Sequence, residues 1–226
     1  MIFIALYCVA AFFALLACVY LLWRRGNAFV GDEITSSVRL RRWTAAFMLA
    51  IVGSHVWWYV IGVYWLADDW LVRTLTVILL DHTTLVPLVM GLLLAMLQDR
   101  RRPFWPWLLM QLPVTVLGVT GIVQRDWLYG NTLAHYWQLA IITAFIVYYI
   151  IALRQYGRWL LDNYADLDRK EVWQSMVFAV FLFVFYEMYT SNAGEMMKEY
   201  MAQGITLVII AFLVWRVETL EELKEE

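Results

Sequence analysis

The sequence predicts an all-α protein, a seven-transmembrane-helix bundle with its N-terminus outside and its C-terminus cytoplasmic. Three observations predict this. Of 226 residues, 63% are hydrophobic and 16% charged, where a soluble domain is about half apolar and a quarter charged; the mean hydropathy is +0.66. Seven runs are apolar over roughly the 20 residues that a bilayer core requires. The basic residues fall in alternate connections between those runs.

The runs lie near 2–23, 43–66, 70–97, 106–123, 132–154, 172–190 and 203–217. The first has no basic residues in front of it and no clear small-residue cleavage site, and Arg24 and Arg25 follow its core. A secretory leader has the opposite polarity and a shorter core, so this run reads as a retained span. Cys8 and Cys18 both lie on it. On one helix they stand about 15 Å apart, beyond the roughly 7 Å that a disulfide spans, and they read as small apolar residues. The fourth run is interrupted by Gln111 and Pro113.

Orientation follows from the connections. Fourteen of the 17 Lys and Arg lie after spans one, three, five and seven. Only Arg73, Arg125 and Lys198 lie on the other side. Positive residues mark the cytoplasmic side, and seven crossings make the alternation self-consistent. Trp23, Trp43, Trp105, Trp107, Trp159, Trp173 and Trp215 fall at the inner ends, and Trp65, Trp70, Trp127 and Trp137 at the outer ends, as indole rings prefer the headgroup level. Before span six, Asp168 and Glu171 have the spacing of a capping box, which predicts a structured connection there. The net charge of −2 argues against a basic nucleic-acid surface.

Polar groups inside the spans carry the functional reading, because an ionisable residue at mid-bilayer costs roughly 2.5–3.5 kcal/mol. Asp81 and His82 lie about mid-depth in span three, His55 at a similar depth in span two, and Arg73 nearer the outer edge. His135 opens span five and Glu187 closes span six. His55, Arg73, Asp81, His82, His135 and Glu187 are therefore expected to line a polar cup open to the outside, the candidate site for an unknown small ligand. The alternative is a set of tethers, with Asp81 pairing with Arg73 or a histidine. His82 points about 100° away from Asp81, and His55 reads as a hydrogen-bonded core histidine if it stands alone. Trp57 and Trp58 read as packing or lipid contacts. Pro87 frees the carbonyl of Thr83, which the hydroxyls of Thr83 and Thr84 are expected to help re-satisfy.

No catalytic residue, metal ligand or cofactor is assigned. The three histidines show no metal-motif spacing, and the seventh span holds no lysine for a Schiff base.

The stretch YGRWLLDNYADLDRKEVWQS, Tyr156 to Ser175, with RLRRWTAAFMLAIVGSHVWWYVIG, Arg39 to Gly62, resembles the N-terminal membrane domain of bacterial membrane-anchored AraC-type transcription regulators. The resemblance covers essentially the whole chain. It implies a sensor domain, residues 1–217, in a bacterial inner membrane, and a cytoplasmic helical tail, residues 218–226, leading to a helix-turn-helix domain that lies outside this sequence. DNA would be reached only through that domain, so the partners implied here are membrane lipid and the small ligand. In the tail, Val217, Leu220 and Leu223 recur at intervals of three, an apolar stripe that would transmit motion or pair with a second copy as a homodimer. The alternatives are a small transporter or channel, or a metal-dependent membrane enzyme.

Overall fold

The computed structural model describes residues 2–24, 36–61, 68–165, 170, 172–190 and 195–223, leaving aside the side chains of 3, 183, 184, 186–190 and 195–199. Its described elements are all helical. They are α1 (Ile2–Trp23), α2 (Val38–Tyr59), α3 (Trp70–Met96), α4 (Trp105–Met110), α5 (Leu112–Gln124), a π-helical turn (Leu128–Leu133), α6 (Ala134–Asn163), α7 (Trp173–Thr190) and α8 (Glu195–Thr219). The capping pair Asp168 and Glu171 lies outside the described residues.

Over its described residues, each of the seven apolar runs is largely helical. Among the described residues, five stretches are long and apolar enough to cross a membrane: Ile4–Trp23, Trp70–Met96, Trp105–Gln124, Leu128–Asn163 and Tyr200–Thr219. The first turns of α2 hold Arg39, Arg41 and Arg42, and its remainder falls short of the roughly 20 apolar residues that a crossing needs. In α7 the apolar stretch is Trp173–Leu182.

The bundle is apolar on its outside. Phe12, Phe13 and Leu16 on α1, Val116 and Val123 on α5, Val147 and Ile151 on α6, and Val177 and Val180 on α7 are all exposed. Water would not tolerate a surface of this extent; lipid does.

α3 sits at the centre and packs on α2, α4, α5, α6 and α7, while α1 and α8 close the far side of α2. Its last seven residues, Met90 to Met96, and Leu97 after them are entirely buried. Gly91 lies under Trp43, where a Cβ would meet the indole ring at 2.2 Å. α6 buries Gln138, Ile141, Phe145, Tyr149, Ala152, Tyr156 and Leu160, spaced three and four apart along one helical face.

Contacts between helix ends fix the direction of the rods. The end of α1 and the start of α2 meet the end of α8, where Arg41 bonds both the Arg24 carbonyl and Glu218. The residues after α3 meet α6 and the α8 tail through Arg102 and Gln98. At the other end Asp69, the N-cap of α3, accepts from the Val72 N–H at 3.2 Å and pairs with Arg125 at 3.1 Å, and the Trp70 and Trp127 rings stack at 5.7 Å. Neighbouring rods therefore alternate, and the bundle has one arginine-rich end and one opposite end.

Candidate functional site

Asp81 leaves α3 toward α2, where Ser54, Trp57 and Trp58 occupy positions i, i+3 and i+4 on one helical face. The Ser54 hydroxyl donates to Oδ1 at 2.7 Å, the Trp57 indole N–H to Oδ1 at 3.0 Å, and the Trp58 indole N–H to Oδ2 at 2.8 Å. The half-buried carboxyl is thus held by three neutral donors, all from one neighbouring helix.

His55, the next residue after Ser54, turns instead toward α1 and α8. Its Nδ1 lies 2.7 Å from the Ile51 carbonyl, one turn back, and so carries a proton. Its Nε2 lies 3.0 Å from the Gln203 amide of α8. Tyr7 of α1 donates its hydroxyl to the His55 carbonyl at 2.5 Å and packs its ring against the imidazole at 4.5 Å between centroids. A carboxamide offers an oxygen on one side and an NH2 on the other. By turning over, Gln203 can serve either a neutral imidazole or an imidazolium.

His82, the next residue after Asp81, faces a different cleft. Its carbonyl accepts from the Gln111 amide at 2.8 Å, and the same NH2 donates to Gln138 Oε1 at 2.6 Å. Among the described residues, Gln111 Oε1 and Gln138 Nε2 are buried without hydrogen-bond partners. Gln111 occupies the break between α4 and α5, which Pro113 enforces by lacking the N–H that would continue the helix. The indole of Trp137 donates to the Met110 carbonyl there at 3.1 Å. His135 lies within electrostatic reach of His82 and beside the Tyr136 ring.

The six expected site residues are thus divided. His55 and Asp81 lie on the α2 side of α3, and His82 and His135 on the α5–α6 side. Arg73 is half-buried, about 12 Å along α3 from Asp81, and among the described residues it has no ion pair. Glu187 lies in α7, and its side chain is outside the described set. Trp57 and Trp58 are hydrogen-bond donors to the carboxyl as well as packing groups. The hydroxyls of Thr83 and Thr84 donate back to the carbonyls of Leu79 and Leu80 at 2.8 and 2.6 Å, one turn before the carbonyl that Pro87 frees. Among the described residues no group of three or more His, Cys, Asp or Glu could hold a metal ion.

The arginine-rich end holds a third polar layer. Arg41 donates to Glu218 at 2.6 Å, to Ser36 at 2.6 Å and to the Arg24 carbonyl at 2.5 Å. The side chains of this ion pair are 7% and 0% exposed. Arg102, also buried, bonds Asp99 and the Ala152 carbonyl, and the Tyr149 hydroxyl meets Ser175 at 2.6 Å. Of the described tail residues, 218 and 219 end α8, and 220–223 run on without helix. The Gln98 amide grips this strand from both sides, donating to the Glu221 carbonyl at 2.9 Å and accepting from the Leu223 N–H at 2.9 Å. Lys170 pairs with Glu221 at 3.3 Å, and Leu220 and Leu223 are buried.

Gln203, Ser54, Gln98 and the Arg41–Glu218 pair were not singled out from sequence. The available signal was registry: Leu40, Thr44, Met48, Ile51 and His55 form the buried stripe of α2, and Arg41 sits on its margin. Comparison with protein-family models, with curated proteins and with solved structures finds no match to this chain.

Proposed function

We propose that this chain is the membrane-embedded signal-input domain of a transcription regulator. It crosses a bacterial inner membrane seven times, with its N-terminus outside, and relays an external or membrane signal through α8 to a cytoplasmic helix-turn-helix domain. One observation carries this reading: α8 is joined to α2 at both ends by polar contacts, Gln203 to His55 and Glu218 to Arg41. A stimulus that repacks the His55–Asp81 layer therefore displaces α8 at one end, and the tail gripped by Gln98 is the part that reads it at the other. The stimulus must bind two arrangements unequally for anything to be transmitted. The orientation rests on the basic residues of the arginine-rich end. The regulator identity rests on the resemblance of Tyr156–Ser175 and Arg39–Gly62 to that family.

The test is hydrogen exchange at residues 220–223 in nanodiscs. Gln203→Leu and Asp81→Asn are expected to speed exchange there by about tenfold or more while the helical content is retained. Exchange equal to wild type in both variants removes the relay.

A second reading, a small transporter or channel, is favoured by the broken α4–α5 rod and the partnerless amide atoms of Gln111 and Gln138, since interrupted helices with polar groups at mid-membrane form transport sites. Proteoliposomes that collapse an imposed proton gradient, and cease to do so with Gln111→Leu, would replace the first reading with this one.

A further inference from the structure

At the arginine-rich end, α6 and the start of α7 diverge around an open slot of about 210 Å³. Its walls are Leu153, Gly157, Leu160 and Leu161 from α6, with Val172 and Trp173 from the start of α7. Tyr156 also borders it, but its hydroxyl is spent on the Lys170 carbonyl at 3.1 Å. A Cβ on Gly157 would meet nothing within 4 Å, so space remains beside the helix where most residues would fill it. Leu161 and Trp173 are 67% and 54% exposed.

Two cations stand on α6 beyond one margin of the slot, neither of them part of its walls. Arg154 and Arg158 lie one turn apart on α6, next to Leu153 and Gly157, and both are exposed. Side chains four apart on a helix are neighbours, and like charges there repel. Among the described residues neither arginine has an ion-pair partner, and Asp162, one turn beyond Arg158, is not within ion-pair distance. Lys170, the other nearby cation among the described residues, is held by Glu221.

Length sets the depth of this pair. α6 has 30 residues, about 45 Å at the helical rise, against a hydrocarbon core of about 30 Å. Its last turns therefore leave the hydrocarbon and stand among headgroups, the level that Trp159 and Trp173 also prefer.

We propose that the slot is a binding site for an anionic diacyl phospholipid, with one acyl chain against Gly157 and the phosphate between Arg154 and Arg158. Hydrocarbon fits the apolar walls, and a net negative headgroup relieves the repulsion of two adjacent guanidiniums. A zwitterionic lipid offers the same chain but brings its own cation to a site already positive. Juxtamembrane arginines favour anionic lipid by roughly fivefold each. The inference goes beyond the signalling reading and does not rest on it.

The test is native mass spectrometry of the full chain taken from nanodiscs of equal phosphatidylglycerol and phosphatidylcholine. Wild type is expected to retain one phosphatidylglycerol in preference. Arg154→Gln with Arg158→Gln is expected to lower that retention at least tenfold, and Gly157→Phe to displace lipid of either headgroup. Glycerol phosphate, which lacks the chains, is expected not to compete. Equal retention of the two lipids, or undiminished phosphatidylglycerol in the double arginine variant, overturns the proposal, as does displacement by glycerol phosphate. The arginine variant changes only exposed side chains, so it remains decisive should Gly157→Phe fail to fold.

Discussion

Gln203 of α8 meets His55 of α2 at 3.0 Å, at the far end of a helix pair whose other end is closed by Glu218 on Arg41 at 2.6 Å. The two contacts are about 21 Å apart along α2, and between them α8 buries Ile209, Ile210, Leu213 and Val217. An apolar seam alone tolerates sliding by a turn; a polar contact at each end fixes one register. Replacing Gln203 by Leu leaves His55 Nε2 buried and unpaired, which costs about 1–3 kcal/mol. The expected result is a lower thermal midpoint in detergent with unchanged helical content.

The Arg41–Glu218 pair is the stronger of the two. Glu218 is fully buried, and Arg41 spends its guanidinium on three separate acceptors. Removing one partner strands the other charge, and such losses run to about 3–5 kcal/mol. Glu218→Ala and Arg41→Ala are each expected to lower unfolding stability by an amount of that order. The double variant should be less destabilised than the sum of the singles, because it leaves no orphan charge. A denaturation series on the four proteins measures the difference.

Gln98 acts on the tail through two hydrogen bonds from one amide. Gln98→Leu keeps the side-chain bulk but removes both bonds, at about 0.5–1.5 kcal/mol each. The buried Leu220 and Leu223 remain, so the tail should loosen rather than leave. The expected outcome is faster cleavage by a glutamate-specific protease at Glu221 and Glu222, with the rest of the bundle as resistant as before.

The all-α class and the helix in every apolar run were legible because a spanning helix must be apolar over a length set by the bilayer. Asp81 and His55 were legible as conspicuous polar residues in such runs. Their partners were not. Ser54 is small and only weakly polar, Gln203 stands at the very start of the seventh run, where a polar residue is unremarkable, and Trp57 and Trp58 carry their donors on otherwise apolar rings. That His82 and Asp81 serve opposite clefts follows from the 100° between successive residues, but which helix fills each cleft depends on the packing order. The tail misled for a local reason. Its apolar spacing of three is satisfied at Val217 by helix and at Leu220 and Leu223 by docking after the helix has ended.

Close backbone approach gives a sharp steric prediction. At Gly121 of α5 an added Cβ would lie 2.2 Å from the backbone N and Cα of Gly130 in the π-helical turn. The clash is with main chain, which cannot swing aside as a side chain does. Gly121→Ala is expected to destabilise by about 1–3 kcal/mol, the usual cost of overpacking. The Trp70–Trp127 stack, which spans the same junction, should be disturbed with it, and exciton coupling in the near-ultraviolet dichroism reports on that pair.

Asp81 offers the most specific spectroscopic test, because its two oxygens are unequally loaded. Oδ1 accepts from Ser54 and Trp57, and Oδ2 from Trp58 alone. An asparagine has one acceptor oxygen and one NH2, and the orientation that keeps more bonds places its oxygen at the Oδ1 position. Trp57 and Ser54 then retain their acceptor, while the Trp58 N–H faces another donor. In Asp81→Asn the indole N–H resonance of Trp58 is expected to move upfield as its hydrogen bond is lost, with that of Trp57 nearly unmoved. In Asp81→Ala both should move. Lost hydrogen bonds to a carboxylate cost about 1.5–3 kcal/mol, but removing a carboxylate from an apolar setting offsets part of that. Asp81→Asn should therefore remain folded, within about 2 kcal/mol of wild type, while its α2–α3 contact is altered at one indole. Equal shifts of both resonances would show that the two indoles do not divide the oxygens as described.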